Sequence, residues 1–141
     1  MQIKYEDVPF GYAHCMNTQC HLAEKCLRSI AWQSLSSEVD RVTVLNPATT
    51  EKSELCPHFR SSDPVHCAAG FTGMQKRMYP AQFARFSALL KTQWGRNPYY
   101  ERRKGQCPLP PAEQDLVRQA LKEAGADEAL DFDGYTDRVL W

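Results

Sequence analysis

Residues 14–28 read HCMNTQCHLAEKCLR, three cysteines with a histidine beside two of them, and a fourth thiol, Cys56, follows in ELCPHFR. Cys15 and Cys20 enclose four residues, Cys20 and Cys26 five, and Cys26 and Cys56 twenty-nine. Four thiolates can surround one zinc ion tetrahedrally, or each can hold one iron of a [4Fe–4S] cubane. Zinc knuckles bring two sulfurs to one small ion through a tight turn, and none of these gaps is that short. Longer gaps suit the separated corners of a cluster, and Cys56-Pro57 has the cysteine–proline step found in some iron–sulfur ligation. Zinc sites with longer spacings also occur, so both metals stay open. The predicted ligands are Cys15, Cys20, Cys26 and Cys56, and the predicted cofactor is a [4Fe–4S] cluster or a zinc ion. His14, His21 and His58 each lie within two residues of one of these cysteines and are alternative ligands.

A single cysteine reads as a small hydrophobe of the core. Cys67 and Cys107, without close partners in sequence, take that reading. Three cysteines within twelve residues of polar chain do not. His66-Cys67 is no catalytic pair, because adjacent residues rarely face one another and no third orienting group is visible.

The chain has 141 residues and 43% hydrophobic content, enough for one domain with a core of its own. No apolar run approaches the roughly eighteen residues of a membrane span. MQIKYEDVPF, at the start, carries two acids and no apolar h-region, so a cytoplasmic protein with reduced thiols and no membrane association is expected. Formal net charge is zero, but it is unevenly placed. Residues 71–105 hold eight basic residues against the single acid Glu101, whereas residues 106–141 hold three against eight.

The expected fold class is α+β, mainly helical. Within one domain over 1–141, a Cys-rich, metal-clasped subdomain (1–63) of loop, helix and short strand packs on a helical unit (64–141) with an acidic tail. Leu22, Cys26, Ile30 and Ala31 predict a helix over 22–35. RVTVLNP predicts a short strand stopped at Asn46-Pro47, followed by polar loop around Cys56. PVHCAAGFTGMQKRM predicts a helix weakened by Gly70 and Gly73. Phe83, Phe86, Leu90 and Trp94 form one stripe of a helix that Pro80 opens and Gly95 ends. NPYYERRKG predicts a short helix with Asn97 as N-cap, Pro98 in the first position and Gly105 past its end. Leu116, Val117, Ala120, Leu121 and Ala124 mark a further helix ending at Gly125. Phe132, Tyr135, Leu140 and Trp141 are expected to pin the tail.

Arg96, Arg102, Arg103 and Lys104, interleaved with Tyr99 and Tyr100, are the candidate nucleic-acid-binding residues. A basic helix of this kind fits a major groove, its arginines reaching phosphates or guanine edges. Over about thirty residues the order of elements resembles the helix-turn-helix of phage-repressor-type domains, where a Tyr-x-Arg-x-x-Gly helix precedes a proline-led one. Here Tyr100, Arg102 and Gly105 precede Pro110 and Pro111. The bland alternative is a solvated basic face neutralised by the acidic tail.

AHCMNTQCHLAEKCLR, CPHFRSSDPV, NPYYERRKG, LPPAEQDLV and FDGYTDRVLW together resemble a family of small uncharacterised proteins, a domain of unknown function, from anaerobic gut bacteria. The resemblance spans nearly the full length. It implies cysteines at Cys15, Cys20, Cys26 and Cys56 and requires none at Cys67 or Cys107, nor a histidine at His58. It implies no activity.

No carboxylate pair, phosphate-binding glycine loop or nucleophile constellation stands out, so a non-enzymatic protein is expected. The favoured reading is a metal-stabilised regulator that binds duplex DNA or a transcription complex, with redox sensing if the metal is an iron–sulfur cluster. An adaptor meeting an acidic protein partner and an iron–sulfur electron-transfer component are the alternatives.

Overall fold

The helix expected over 22–35 is interrupted by one extended residue. In the computed structural model, which describes residues 2–50 and 56–141, Cys26 has φ −105° and ψ 119° and bridges antiparallel to Ser61. Leu27 N–H donates to the Arg60 carbonyl at 2.8 Å and Ser62 N–H to the Lys25 carbonyl at 2.9 Å. Long-range pairing therefore wins over helix propensity here. A 3-10 turn at Ala23–Lys25 precedes the break and α1, Leu27–Gln33, follows it. Ala23, Leu27, Ser29 and Ala31 are buried.

The strand expected in RVTVLNP shrinks to a single parallel bridge, His14 to Val44. His14 N–H donates to the Thr43 carbonyl and Leu45 N–H to the His14 carbonyl, both at 2.8 Å. Pro47 has no N–H with which to extend a ladder and instead opens α2, Pro47–Thr50. The polar loop expected around Cys56 lies partly outside the described residues. Cys56 itself opens a turn closed by Phe59 N–H on its carbonyl at 3.1 Å. These segments form one compact unit, Met1–Pro64 with Val139–Trp141. Within it the Trp141 ring meets Tyr12 edge-on, centroids 5.2 Å apart.

The second unit is Val65–Arg138. The helix expected in PVHCAAGFTGMQKRM is instead β1, Val65–Ala68, followed by a 3-10 segment, Thr72–Arg77. β1 pairs antiparallel with β2, Tyr135–Arg138, with Val65 opposite Arg138 and Ala68 opposite Tyr135. On the other edge Ala68 exchanges both backbone hydrogen bonds with Leu109, at 2.9 and 2.8 Å. Strand partners from two distant stretches thus satisfy backbone groups that a helix would have satisfied locally.

Gly70 makes the turn out of β1. Its φ is +81°, and a Cβ there would lie 2.8 Å from Asp133 Oδ2 and 3.1 Å from the Arg103 carbonyl oxygen. Only glycine fits on both counts.

Three helices follow: α3 (Pro80–Trp94), α4 (Arg96–Arg103) and α5 (Pro111–Glu123). α3 and α5 match the sequence reading. Gln82 Oε1 accepts from the Tyr79 N–H at 2.9 Å and its Nε2 donates to the Gly125 carbonyl at 2.9 Å, tying the start of α3 to the end of α5. α4 starts earlier than expected, because Gly95 rather than Asn97 is its N-cap. With φ +84° that one glycine both ends α3 and begins α4. Phe86 and Leu90 from α3, Tyr99 from α4, and Val117 and Leu121 from α5 close the core over Phe71 and Met74. Phe71 sits at its centre, edge-on to Phe86 at 5.8 Å and inclined to Tyr99 at 5.9 Å.

The protein is thus α+β and mainly helical, with a two-stranded sheet. Of the residues expected to pin the tail, Phe132 is buried and Trp141 half-buried, whereas Tyr135 and Leu140 are exposed. Tyr135 instead stacks on His66 across the sheet, centroids 4.9 Å apart.

Asp133 locks the 3-10 segment from outside it. Its carboxylate accepts from the Thr72 N–H and hydroxyl, each at 2.7 Å, and from the Gly73 N–H at 2.9 Å. Partial burial pushes its carboxyl up, but these hydrogen bonds, with Arg103 nearby, outweigh that and hold it below the ordinary carboxylate value. A depressed folded-state pKa adds stability above the unfolded pKa that is lost as pH falls through the folded one. Asp133→Ala should cost about 1–2 kcal/mol in urea melts at neutral pH. The gap to wild type should close as pH drops below about 4, where free aspartate protonates.

Candidate metal centre

Each of the four sequence-predicted cysteines is set by its own backbone device. Cys15 N–H donates to the Arg28 carbonyl at 3.0 Å. Cys20 closes a turn on the Asn17 carbonyl at 3.4 Å, Cys26 sits in its bridge to Ser61, and Cys56 opens the turn ending at Phe59. All four are free and half-buried, and all four line one cavity together with Leu22, Ala23, Leu45, Phe59 and His58. The wall is almost wholly nonpolar, so a water there would find few of the polar partners that hold buried water. The enclosed room, about 20 Å³, is far below what an organic ligand needs. Among the described residues no three His, Cys, Asp or Glu side chains form a group that could hold one metal ion. The four cysteines share one lining without forming such a group.

Two further features bear on what fits there. Leu22 N–H donates to Cys20 Sγ at 3.4 Å. Arg28 lines the same cavity and joins three of the cysteine-bearing segments. Its Nε donates to the His58 carbonyl and its Nη1 to the Ala13 carbonyl, both at 2.9 Å. The guanidinium also lies 4.8 Å from the Tyr12 ring centroid. Burial pushes the Tyr12 phenol up, against the pull of Arg28 and with a further rise from Cys26. Its hydroxyl is buried and has no hydrogen-bond partner among the described residues.

The three histidines separate. His21 is exposed and does not line the cavity. His14 is buried, with Nδ1 on the Thr43 carbonyl and Nε2 on the Tyr5 hydroxyl, each at 3.1 Å. Both of its ring nitrogens are taken. Only His58 lines the cavity with the thiols. Cys67 is fully buried in β1, where burial pushes its thiol up, against Arg138. Such a thiol is inert packing. Cys107 is half-buried, with only a long contact from its sulfur to the Pro108 carbonyl at 3.9 Å.

The basic helix is less available than its sequence suggests. Tyr99 is 1% exposed and belongs to the core, so it does not reach a phosphate. Arg102 makes a two-pronged pair with Glu113, at 3.0 and 2.9 Å, and lies 5.0 Å from the Trp94 ring centroid. Glu113 holds its guanidinium above the ordinary value. Arg103 hydrogen-bonds Gln75 and covers the Phe83 ring at 5.5 Å. The Lys91 ammonium lies 5.3 and 5.2 Å from the Tyr99 and Tyr100 ring centroids. Its hydrogen bond to Tyr100 holds that phenol below its usual value. Of the six candidates, Arg96 and Lys104 are exposed.

A family model described as a family of unknown function, DUF6078, matches residues 1–141. The chain belongs to DUF6078. Comparison with curated proteins and with solved structures gives no match. Among the described residues of this DUF6078 protein, no helix is long and apolar enough to cross a membrane.

Arg28 is the residue of the candidate site that sequence reasoning missed. Its partners are backbone carbonyls, which leave no trace in a sequence, and only its place two residues after Cys26 marked it. Arg28→Ala should destabilise the protein by about 2–3 kcal/mol in urea melts, because it strands two part-buried acceptors and a ring face. Arg28→Lys should recover less than half of that, since an ammonium lacks the planar fork.

Proposed function

We propose that this DUF6078 protein is a non-enzymatic regulator built around a four-thiolate metal centre, with a [4Fe–4S] cluster as the favoured occupant. The observation that carries this reading is the cavity lined by Cys15, Cys20, Cys26 and Cys56. Four thiols held by separate backbone devices, with long gaps between them in sequence, suit a cluster, whose irons each take one sulfur. Zinc needs all four sulfurs about 2.3 Å from one point, and none of the sequence gaps is the tight knuckle that brings two sulfurs to such an ion. When bound, such a cluster exchanges single electrons.

The residues of the chain have definite tasks in this reading. The Leu22 N–H and the Arg28 guanidinium offset thiolate charge, since hydrogen bonds to the sulfurs tune a cluster's potential. Leu22, Leu45 and Phe59 keep water from the centre. In this reading the thiols stay reduced, as suits a cytoplasmic protein.

Protein purified without air or chelators should contain about four iron and four acid-labile sulfide per chain and absorb near about 400 nm. Cys20→Ser should abolish both, and Cys67→Ser should keep both. One zinc per chain without sulfide would keep the thiolate centre and replace the cluster. Neither iron nor zinc would overturn the reading.

Regulation through nucleic acid rests on a second observation, the exposed cations Lys76, Arg77, Arg85, Arg96 and Lys104 of the strongly basic segment. Their contacts would be to phosphate and independent of sequence. Binding to duplex DNA should therefore weaken steeply with salt, and Arg96→Ala with Lys104→Ala should lower the slope of log K against log salt by about 2. No retention of duplex at about 50 mM salt would leave an acidic protein as the partner.

A further inference from the structure

The first unit has another cleft, lined from residues 5–14 and 39–43. It encloses about 560 Å³, within the range of roughly 300–1,000 Å³ typical of small-molecule sites. Tyr5, Pro9, Phe10, Tyr12, His14 and Arg41 are among its lining residues. A turn presents Phe10: Tyr12 N–H donates to the Pro9 carbonyl at 3.1 Å, and Gly11 takes φ +76°. That geometry places Phe10 at the tip, and its ring is fully exposed beside the cleft.

The polar groups state what a ligand must carry. A carbonyl can only accept, so in the neutral His14 ring Nδ1 bears the hydrogen given to Thr43 and Nε2 accepts from the Tyr5 hydroxyl. Having donated its hydrogen inward, the Tyr5 oxygen offers the cleft only a lone pair. It asks for an O–H or N–H. Arg41 is exposed and makes no ion pair among the described residues. Its guanidinium offers paired donors to a carboxylate. The aromatic and proline walls suit a flat ring.

From this complementarity we infer that the cleft binds a small aromatic acid bearing a ring hydroxyl or ring N–H. The carboxylate pairs with Arg41, the ring lies against Phe10 and Pro9, and the ring donor meets the Tyr5 oxygen. This site is separate from the thiolate cavity, and its test does not depend on the metal.

The full-length protein would be titrated calorimetrically with 4-hydroxyphenylacetate, with phenylacetate, which lacks the donor, and with 4-ethylphenol, which lacks the acid. The first should bind about tenfold more tightly than either of the others. Tyr5→Phe should erase its advantage over phenylacetate while keeping the ring stacked on His14. Arg41→Gln, a change at an exposed side chain that leaves folding intact, should erase its advantage over 4-ethylphenol. No binding of 4-hydroxyphenylacetate up to millimolar concentration overturns the inference. So does equal affinity for all three probes, or affinity unchanged in both variants.

Discussion

One guanidinium organises the cysteine-bearing half of this protein. Arg28 stands two residues after Cys26, and its side chain reaches the carbonyl of Ala13, before Cys15, and that of His58, after Cys56. Its own carbonyl receives the Cys15 N–H. Three stretches of chain are thereby held to one planar group, and three of the four thiols travel with them. A lysine has one point of charge where this site uses two directed donors. The arrangement is backbone-led: bridges, turns and one fork place the sulfurs, and hydrocarbon from Leu22, Leu45 and Phe59 fills in around them.

The second unit solves a different problem. Its core is largely aromatic and closed from three helices onto Phe71, and several of its charges are spent inside the unit. Arg102 is gripped by Glu113, Arg118 covers Phe132 with its guanidinium 4.7 Å from the ring centroid, and Asp133 holds Thr72 and Gly73. The basic segment is thus partly a structural device, in which cations cover aromatic faces and answer carboxylates supplied by the acidic end of the chain. The Tyr99 hydroxyl and the Arg103 Nε are buried with no hydrogen-bond partner among the described residues. Their burial is a cost that the surrounding aromatic packing has to offset.

What could be read from the sequence follows the range of the interaction concerned. α3 and α5 are legible because their stripes and their proline and glycine punctuation are local. Cys15, Cys20, Cys26 and Cys56 do line one cavity, and their closeness in sequence already set three of them apart from Cys67 and Cys107. The β1–β2 pair is not legible, since its four-residue strands lie far apart in sequence and VHCA looks as helical as it does extended. The break at Cys26 is hidden for the same reason, as its partner Ser61 is thirty-five positions away. In α4 the inward Tyr99 and Arg102 are three residues apart, one face of a helix too short to display a period. Composition alone made them look like part of a binding surface.

The register of β1 on β2 has an effect on how the polypeptide is made. Val65 and Arg138, the first and last residues of the second unit, face each other in the sheet, so that unit is spliced into the first as an insert whose ends coincide. The ribosome must therefore deliver all of the insert before it delivers Val139–Trp141, and only then can Trp141 close on Tyr12. The thiol-bearing unit, begun earliest, is completed last, although every residue that lines its thiol cavity is synthesised before the insert begins.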